Sequence, residues 1–222
     1  MQRLLKVVDR LTTPVLVVCA LIVTGAVVRR EVLSQRPAPN VAESSAPLPG
    51  GPVPPTLSLP EGTLIGNPGA RVRLIEFADF ECPFCARSAE MLHELMKADT
   101  MAVAIEFHHY PLKSHAHAID AGNAAECANE QGRFEEFYFD VYSNRSRIGT
   151  WSWRKFAKRA RVTDLRQFDE CLQKARFALR VEQGRVAAKS LGINGTPAWI
   201  VRDSIFVGAP PRVQLEAWAK AR

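Results

Sequence analysis

Two cysteines separated by two residues, Cys82-Pro83-Phe84-Cys85, stand where an apolar strand pattern, Val72 to Phe77, gives way to a helical one, Pro83 to Lys97. That placement constrains the chain more than any other feature. A cysteine at a helix start faces unpaired backbone N–H groups and the positive end of the helix dipole, and both favour thiolate over thiol. In such settings the first cysteine of a CxxC pair titrates at roughly 3.5–7.5 rather than ~8.5. Two intervening residues let the sulfurs close into a small disulfide, and Pro83 suits the first helical turn, where its missing N–H costs nothing. The spacing therefore predicts a redox pair on a strand–helix junction of an α/β domain.

The 222 residues are 47% hydrophobic and 23% charged, enough for one sizeable core with appendages. The net charge of +6 is unevenly placed. Between Asn144 and Ser190 thirteen Lys/Arg face four Asp/Glu. No aromatic platform or nucleic-acid motif accompanies them, so the basic excess reads as solvated helix faces and no nucleic acid is expected.

The first sixty residues read as an attachment to the fold. Residues 1–10, with Arg3, Lys6 and Arg10, precede an apolar run from Leu11 to Val28, closed by Arg29 and Arg30. At ~1.5 Å per residue this run spans about 27 Å, near the thickness of a bilayer's hydrocarbon core. Only Thr24-Gly25-Ala26 approaches a cleavage site, so a transmembrane signal anchor is favoured over a cleaved signal peptide. Residues 29–60 read as a Pro-rich linker: Arg36 to Pro60 holds eight of the fifteen prolines. At ~3.1 Å per residue such a stretch is a semi-rigid spacer reaching about 75 Å.

The folded part is expected over 61–222. Val72 to Phe77 is a buried strand, Met91, Leu92, Leu95 and Met96 form the apolar stripe of the helix after the CxxC, and Met101 to Tyr110 alternates as a second strand. Residues 114–190 are helical, with breaks at Gly132, Asn144 to Gly149 and Val162 to Asp164, and with Thr150 and Asp164 as N-caps. A loop, Gly192 to Pro197, leads to paired strands Ala198–Val201 and Ser204–Val207 and a last helix, Pro211 to Ala221.

Asn67-Pro68, then Ile75 through Cys85, resembles the active-site region of DsbA-like thiol–disulfide oxidoreductases. Gly192-Ile193-Asn194-Gly195-Thr196-Pro197 resembles that family's cis-proline loop, and Ala125 to Gly132 the helical insertion of its membrane-anchored bacterial members. The resemblance covers about residues 61–222. It implies a thioredoxin fold with an inserted helical block, an extracytoplasmic (periplasmic) catalytic domain on a single-pass cytoplasmic-membrane anchor, and no cofactor. The Pro-Phe pair departs from the Pro-His of the best-known oxidase; phenylalanine adds no charge stabilisation to the thiolate. Thr196 before the proline is shared with disulfide isomerases and does not set direction.

On this reading Cys82 is the exposed nucleophile and Cys85 the shielded resolving thiol, together forming the redox disulfide. Thr196 and Pro197 lie against the sulfurs, and the Thr196 backbone, with Phe84, meets a bound substrate peptide as an added strand would. Glu76, six residues before Cys82, is either a buried acid relaying protons to Cys85 or an edge carboxylate in a salt bridge. Cys127 and Cys171 are expected to form a structural disulfide in an oxidising compartment, with two buried thiols or a pair exchanging with Cys82 as alternatives. His108 and His109 point to opposite faces of a strand, and His115 and His117, taken as helical, share no face, so no metal site is expected among them. The expected function is oxidation of cysteines in unfolded or reduced secreted proteins, with a DsbB-like or equivalent membrane oxidant restoring the disulfide. A reductase or isomerase on the same scaffold, or a peptide-binding chaperone with an incidental CxxC, are the other readings.

Overall fold

The computed structural model of the chain describes residues 48–53 and 58–220. The expected N-terminal segment, anchor and most of the linker lie outside the described residues. Among the described residues no helix is long and apolar enough to cross a membrane.

The strands are β1 (Leu48–Pro52), β2 (Thr63–Ile65), β3 (Val72–Ala78), β4 (Val103–His109), β5 (Ala198–Val201) and β6 (Ser204–Val207). They form one sheet in the order β1-β6-β5-β3-β4-β2. Only β3 and β4 run parallel, joined through helix α1 (Pro83–Ala98). Between β4 and β5 lies the helical block: α2 (Ala118–Asn129), α3 (Phe134–Ser143), a short 3-10 turn (Arg145–Arg147), α4 (Trp153–Arg159), α5 (Leu165–Gln173) and α6 (Ala178–Ser190). Helix α7 (Arg212–Lys220) closes the chain's described part. This is the thioredoxin fold with an inserted helical block expected above.

Period-2 alternation divides the core. On one face Leu74 and Ala78 of β3 and Trp199 of β5 join Leu92 of α1, Leu215 and Trp218 of α7 and the aromatic residues of α3. On the other, Phe77, Ile200 and Ile205 pack against Ala187 and Ala188 of α6. Helix α6 reaches that face because residue 184 is glycine: a Cβ there would lie 2.3 Å from the His109 carbonyl oxygen. In α3 the residues Phe134, Phe137, Tyr138, Val141 and Tyr142 recur at the i, i+3, i+4 spacing of a single buried face. Phe80, 1% exposed, inserts from the loop after β3 among Phe107, Phe137, Tyr138 and Tyr142. It fastens the loop before the cysteines to the helical block, and truncating it to alanine would cost about 3–5 kcal/mol.

The structure departs from the sequence expectations in several places. Part of the stretch assigned to the linker is β1, antiparallel to β6 and extended by a bond from the Val53 N–H to the Asp203 carbonyl (2.7 Å). The proline-rich composition fits an edge strand, where N–H groups need no partner on the open side. The helical block starts at Ala118 rather than at residue 114, because His115 and His117 lie in turns ahead of α2. Asp164 caps α5, accepting from the Arg166 and Gln167 N–H groups, whereas Thr150 caps nothing: its hydroxyl donates back to the Arg147 carbonyl, and Ser152 is the residue before α4.

Cys127 of α2 and Cys171 of α5 are joined by a disulfide, 44 residues apart in sequence. Closing a loop of that size contributes about 4 kcal/mol in the chain-entropy account. The double variant Cys127→Ala/Cys171→Ala is expected to lose stability of that order in urea unfolding, and an unchanged midpoint would show that the helical block does not depend on the bridge.

Candidate active site

Cys82 is the residue before the first turn of α1, with Pro83 at the first helical position. Its backbone is extended (φ −71°, ψ 124°), and its N–H donates to the Asp79 carbonyl at 3.0 Å. The helix follows because Pro83 fixes φ and the run to Ala98 contains no further breaker. The loop that carries Cys82 is held on several sides. The Asp79 carboxylate accepts from the N–H groups of Glu81 and Leu112, each at 2.7 Å, and lies 2.8 Å from His115 Nδ1. Tyr142 donates to the Asp79 carbonyl at 3.2 Å, the Glu81 carboxylate accepts from the His117 N–H at 2.5 Å, and Arg145 donates to the Glu81 carbonyl at 3.1 Å.

The loop of Thr196 and Pro197 approaches from the other side. The peptide bond between them is cis. Tyr110 donates to the Ile193 carbonyl at 2.9 Å, and the Gly208 N–H donates to the Pro197 carbonyl at 2.7 Å, which hold the loop at both ends. The Cys82 thiol donates to the Thr196 carbonyl, Sγ to O 3.3 Å. This contact corrects one expectation: Cys82 is not exposed but has only 3% of its surface open, because the Thr196 loop lies over it. Cys85, one turn inside, is wholly covered. Both are free thiols in this structure, the dithiol form of the expected pair.

The two sulfurs differ sharply in acidity. Cys82 is drawn down to about 6, first by the Cys85 thiol, which donates to its thiolate, and further by the Thr196 side chain and by the N–H groups of Cys85 and Phe84, against the opposing effect of burial. Cys85 is pushed well above the ordinary range, by burial first, then by the hydrogen bond its thiol makes to Cys82 and by the Cys82 charge, with Glu76 adding to this only where it is ionised at high pH. At neutral pH the pair holds one thiolate, on Cys82.

Glu76 lies in the centre of β3, opposite Trp199, and is fully buried. Of the two earlier readings the structure has the buried acid. One carboxylate oxygen accepts from the Tyr138 hydroxyl at 2.9 Å, and the other has no partner. Burial raises its pKa to about 8 despite the Tyr138 bond, so it is protonated at neutral pH. Phe84 points outward, 43% exposed, with the Arg87 guanidinium 5.8 Å from its ring centre.

Tyr138, Asp79 and His115 were assigned no role from sequence. Tyr138 lies 62 residues from Glu76, and only its place on the apolar stripe of α3 marked it as buried. Asp79 stood inside the cysteine motif without any sign of the three groups it would bind. His108 and His109 are structural: His108 lies 3.2 Å from Glu106, and His109 2.9 Å from the buried Glu126. Among the described residues no three His, Cys, Asp or Glu side chains gather as metal ligands would.

The acidity difference has two measurable consequences. Iodoacetamide is expected to modify Cys82 before Cys85, with a pH midpoint near 6; a midpoint at the ordinary thiol value would contradict this geometry. Glu76 binds its proton more tightly in the folded chain than in the unfolded one, where it titrates near 4.5. Folding stability therefore falls as pH rises from about 4.5 to about 8. In the dithiol form the lowered Cys82 works in the opposite sense above pH 6, so the slope is best read on the oxidised protein, where Cys82 does not titrate. Glu76→Gln is expected to flatten it.

Residues 58–221 match the thioredoxin family described as Thioredoxin_4. A Na(+)/H(+) antiporter NhaA 3 of Salinispora tropica is 35% identical over 133 residues, 60% of this chain and 20% of that protein. The chain thus spans about a fifth of the length of the curated relatives it matches. Among solved structures, a thioredoxin-like oxidoreductase from Silicibacter pomeroyi has 25% identity and a TM-score of 0.59, over 72% of this chain and 90% of that one. BdbD from Bacillus subtilis, in its oxidised form, has 19% identity and a TM-score of 0.63, over 80% of this chain and all of that one, which is a likeness of fold. With its CxxC at the start of α1 and its helical block between β4 and β5, the chain belongs to the thioredoxin family, as an oxidoreductase of DsbA-type fold.

Proposed function

We propose that this protein is a thiol oxidase that passes a Cys82–Cys85 disulfide to the cysteines of unfolded or reduced secreted proteins. The observation that carries the reading is the unequal pair: a Cys82 thiolate favoured down to about pH 6 beside a Cys85 that stays protonated. Stabilising the thiolate stabilises the dithiol form of the protein, and a protein with a favoured dithiol form gives its disulfide away readily. Phe84 contributes no charge to this; Cys85, Thr196 and the helix N–H groups supply it.

A substrate thiolate attacks the Cys82 sulfur, the Cys82–Cys85 bond breaks, and its electron pair goes to Cys85. Cys85 takes up a proton, for which the protonated carboxyl of Glu76 is the buried donor. The substrate is then joined to Cys82, with its backbone alongside Thr196 and Phe84 against its side chains. A second substrate thiolate attacks the substrate's own sulfur, forms the product disulfide and releases Cys82 as a thiolate, a good leaving group because of its low pKa. Two electrons have moved from the substrate to the cysteine pair, and a DsbB-like or equivalent membrane disulfide oxidant takes them back. The transport activity of the antiporter relatives forms no part of this reading.

Offered a substrate disulfide or activated substrate thiol, Cys85→Ala is expected to accumulate substrates joined to Cys82, the other sulfur leaving as thiolate, because Cys85 can no longer attack the mixed disulfide; Cys82→Ala is expected to abolish exchange. Retained dithiol oxidation in Cys82→Ala would remove the assignment. Direction is tested by rate: reduced, unfolded protein should be oxidised faster than insulin is reduced, and the reverse order would favour a reductase or isomerase. A chaperone with an incidental pair would keep its activity when both cysteines are replaced.

The same reading places the domain outside the cytoplasm on a single-pass anchor at residues 11–28. The protein is expected to stay in the membrane fraction through salt and carbonate washes. Recovery of a soluble form beginning near Val27 would refute the anchor without touching the chemistry.

A further inference from the structure

Beside the cysteine pair, between α1 and α3, runs an open groove of about 480 Å³. It starts at Pro83, the residue after the nucleophile, and follows one face of α1 through Arg87, Glu90, His93 and Glu94, with Phe139, Tyr142 and Arg145 among the residues opposite. The Thr196 loop lies on the other side of Cys82, so a segment joined to that sulfur has two flanks, and only one of them can run along the loop.

The charges in the groove are ordered. Near Pro83 stand two guanidinium groups that no carboxylate among the described residues pairs with. Arg87 rests over the exposed Phe84 ring, and Arg145 donates to the Glu81 backbone carbonyl. Farther along α1 stand the exposed carboxylates Glu90 and Glu94, of which Glu94 has a distant partner in Lys97 at 3.9 Å. At ~1.5 Å per residue the sign changes within about 5 Å of helix axis beyond Arg87. His93 stacks on Phe139 and forms part of the floor, its ring centre 4.2 Å from that of Phe139.

We propose that this groove holds the second flank of a substrate peptide and selects by charge order: an acidic side chain next to the substrate cysteine, facing Arg87 and Arg145, and a basic one farther out, facing Glu90 and Glu94. The inference rests on the exchange function proposed above and names the substrate class it favours. Arg87 and Arg145 act here as specificity residues; the bonds made and broken at sulfur are unchanged.

The test uses the full chain as Cys85→Ala and single-cysteine peptides activated as mixed disulfides with thionitrobenzoate. The Cys82 thiolate attacks the peptide sulfur, the peptide becomes joined to Cys82, and coloured thionitrobenzoate leaves with the electron pair. Two peptides of identical composition are compared on each flank of the cysteine, one with Glu near and Lys far, the other with the order reversed. Because net charge is the same, general attraction cancels. Because both react with the same sulfur, so does any change in Cys82 acidity.

On one flank the near-Glu peptide is expected to react about fivefold faster, the scale of an exposed ion pair. The ratio should fall toward one in high salt. Arg87→Glu should remove or invert it, and Glu90→Arg should reduce it independently. Equal rates for both orders on both flanks, with release occurring, would overturn the groove assignment and leave the exchange function standing. No release with any peptide would overturn the exchange function and this inference with it.

Discussion

A carboxyl group under the cysteine pair, with one hydrogen bond for its two oxygens, is the constraint around which the rest of the domain is arranged. Glu76 can be held there only because it keeps its proton, and burial is what makes it keep it. The position needs a central strand covered on both faces, which the sheet supplies through α1 and α7 on one side and α6 on the other. It also needs a donor, and Tyr138 comes from a helix that belongs to the inserted block. The block is thus joined to the chemistry by a phenol and not only by packing. Tyr142, one turn on, extends the same connection to the Asp79 carbonyl and so to the backbone that carries Cys82.

Much of this could be read from local sequence. The β3 pattern, the CxxC at the start of α1, the hairpin of β5 and β6 and the last helix all have short-range signals: alternation, an N-terminal proline and a turn at Arg202-Asp203. The breaks at Gly132 and before Asp164 also announce themselves by residue type. What escaped lacks such a signal. β2 has three residues and exists because Thr63 to Ile65 pairs with β4. The break between α5 and α6 contains neither glycine nor proline and turns at Ala175 with φ of +43°. β1 was hidden by its prolines, which describe a free spacer as well as they describe an edge strand.

The candidate site divides in the same way. Cys82, Cys85, Thr196 and Pro197 came from motifs, and the structure brings them together within one contact of the Cys82 sulfur. Glu76 was visible as a position on a strand expected to be buried, while the choice between a buried acid and an edge carboxylate, and its partner, were not, because the partner comes from an element 62 residues away. The cover over Cys82 was missed for the same reason: helix position says how acidic a sulfur becomes, and only the fold says what lies on top of it.

That cover separates two quantities usually thought of together. The fraction of Cys82 present as thiolate is set first at the start of α1, by Cys85, with a smaller pull from Thr196; how often anything meets it is set by the loop that carries Thr196, 114 residues later. A sulfur that is ionised yet almost wholly roofed is a poor target for bulky reagents. Narrow, extended chain can enter where a rigid surface cannot. Under the exchange function proposed above, such a shape filter would turn away a finished, folded protein without having to recognise anything about its sequence.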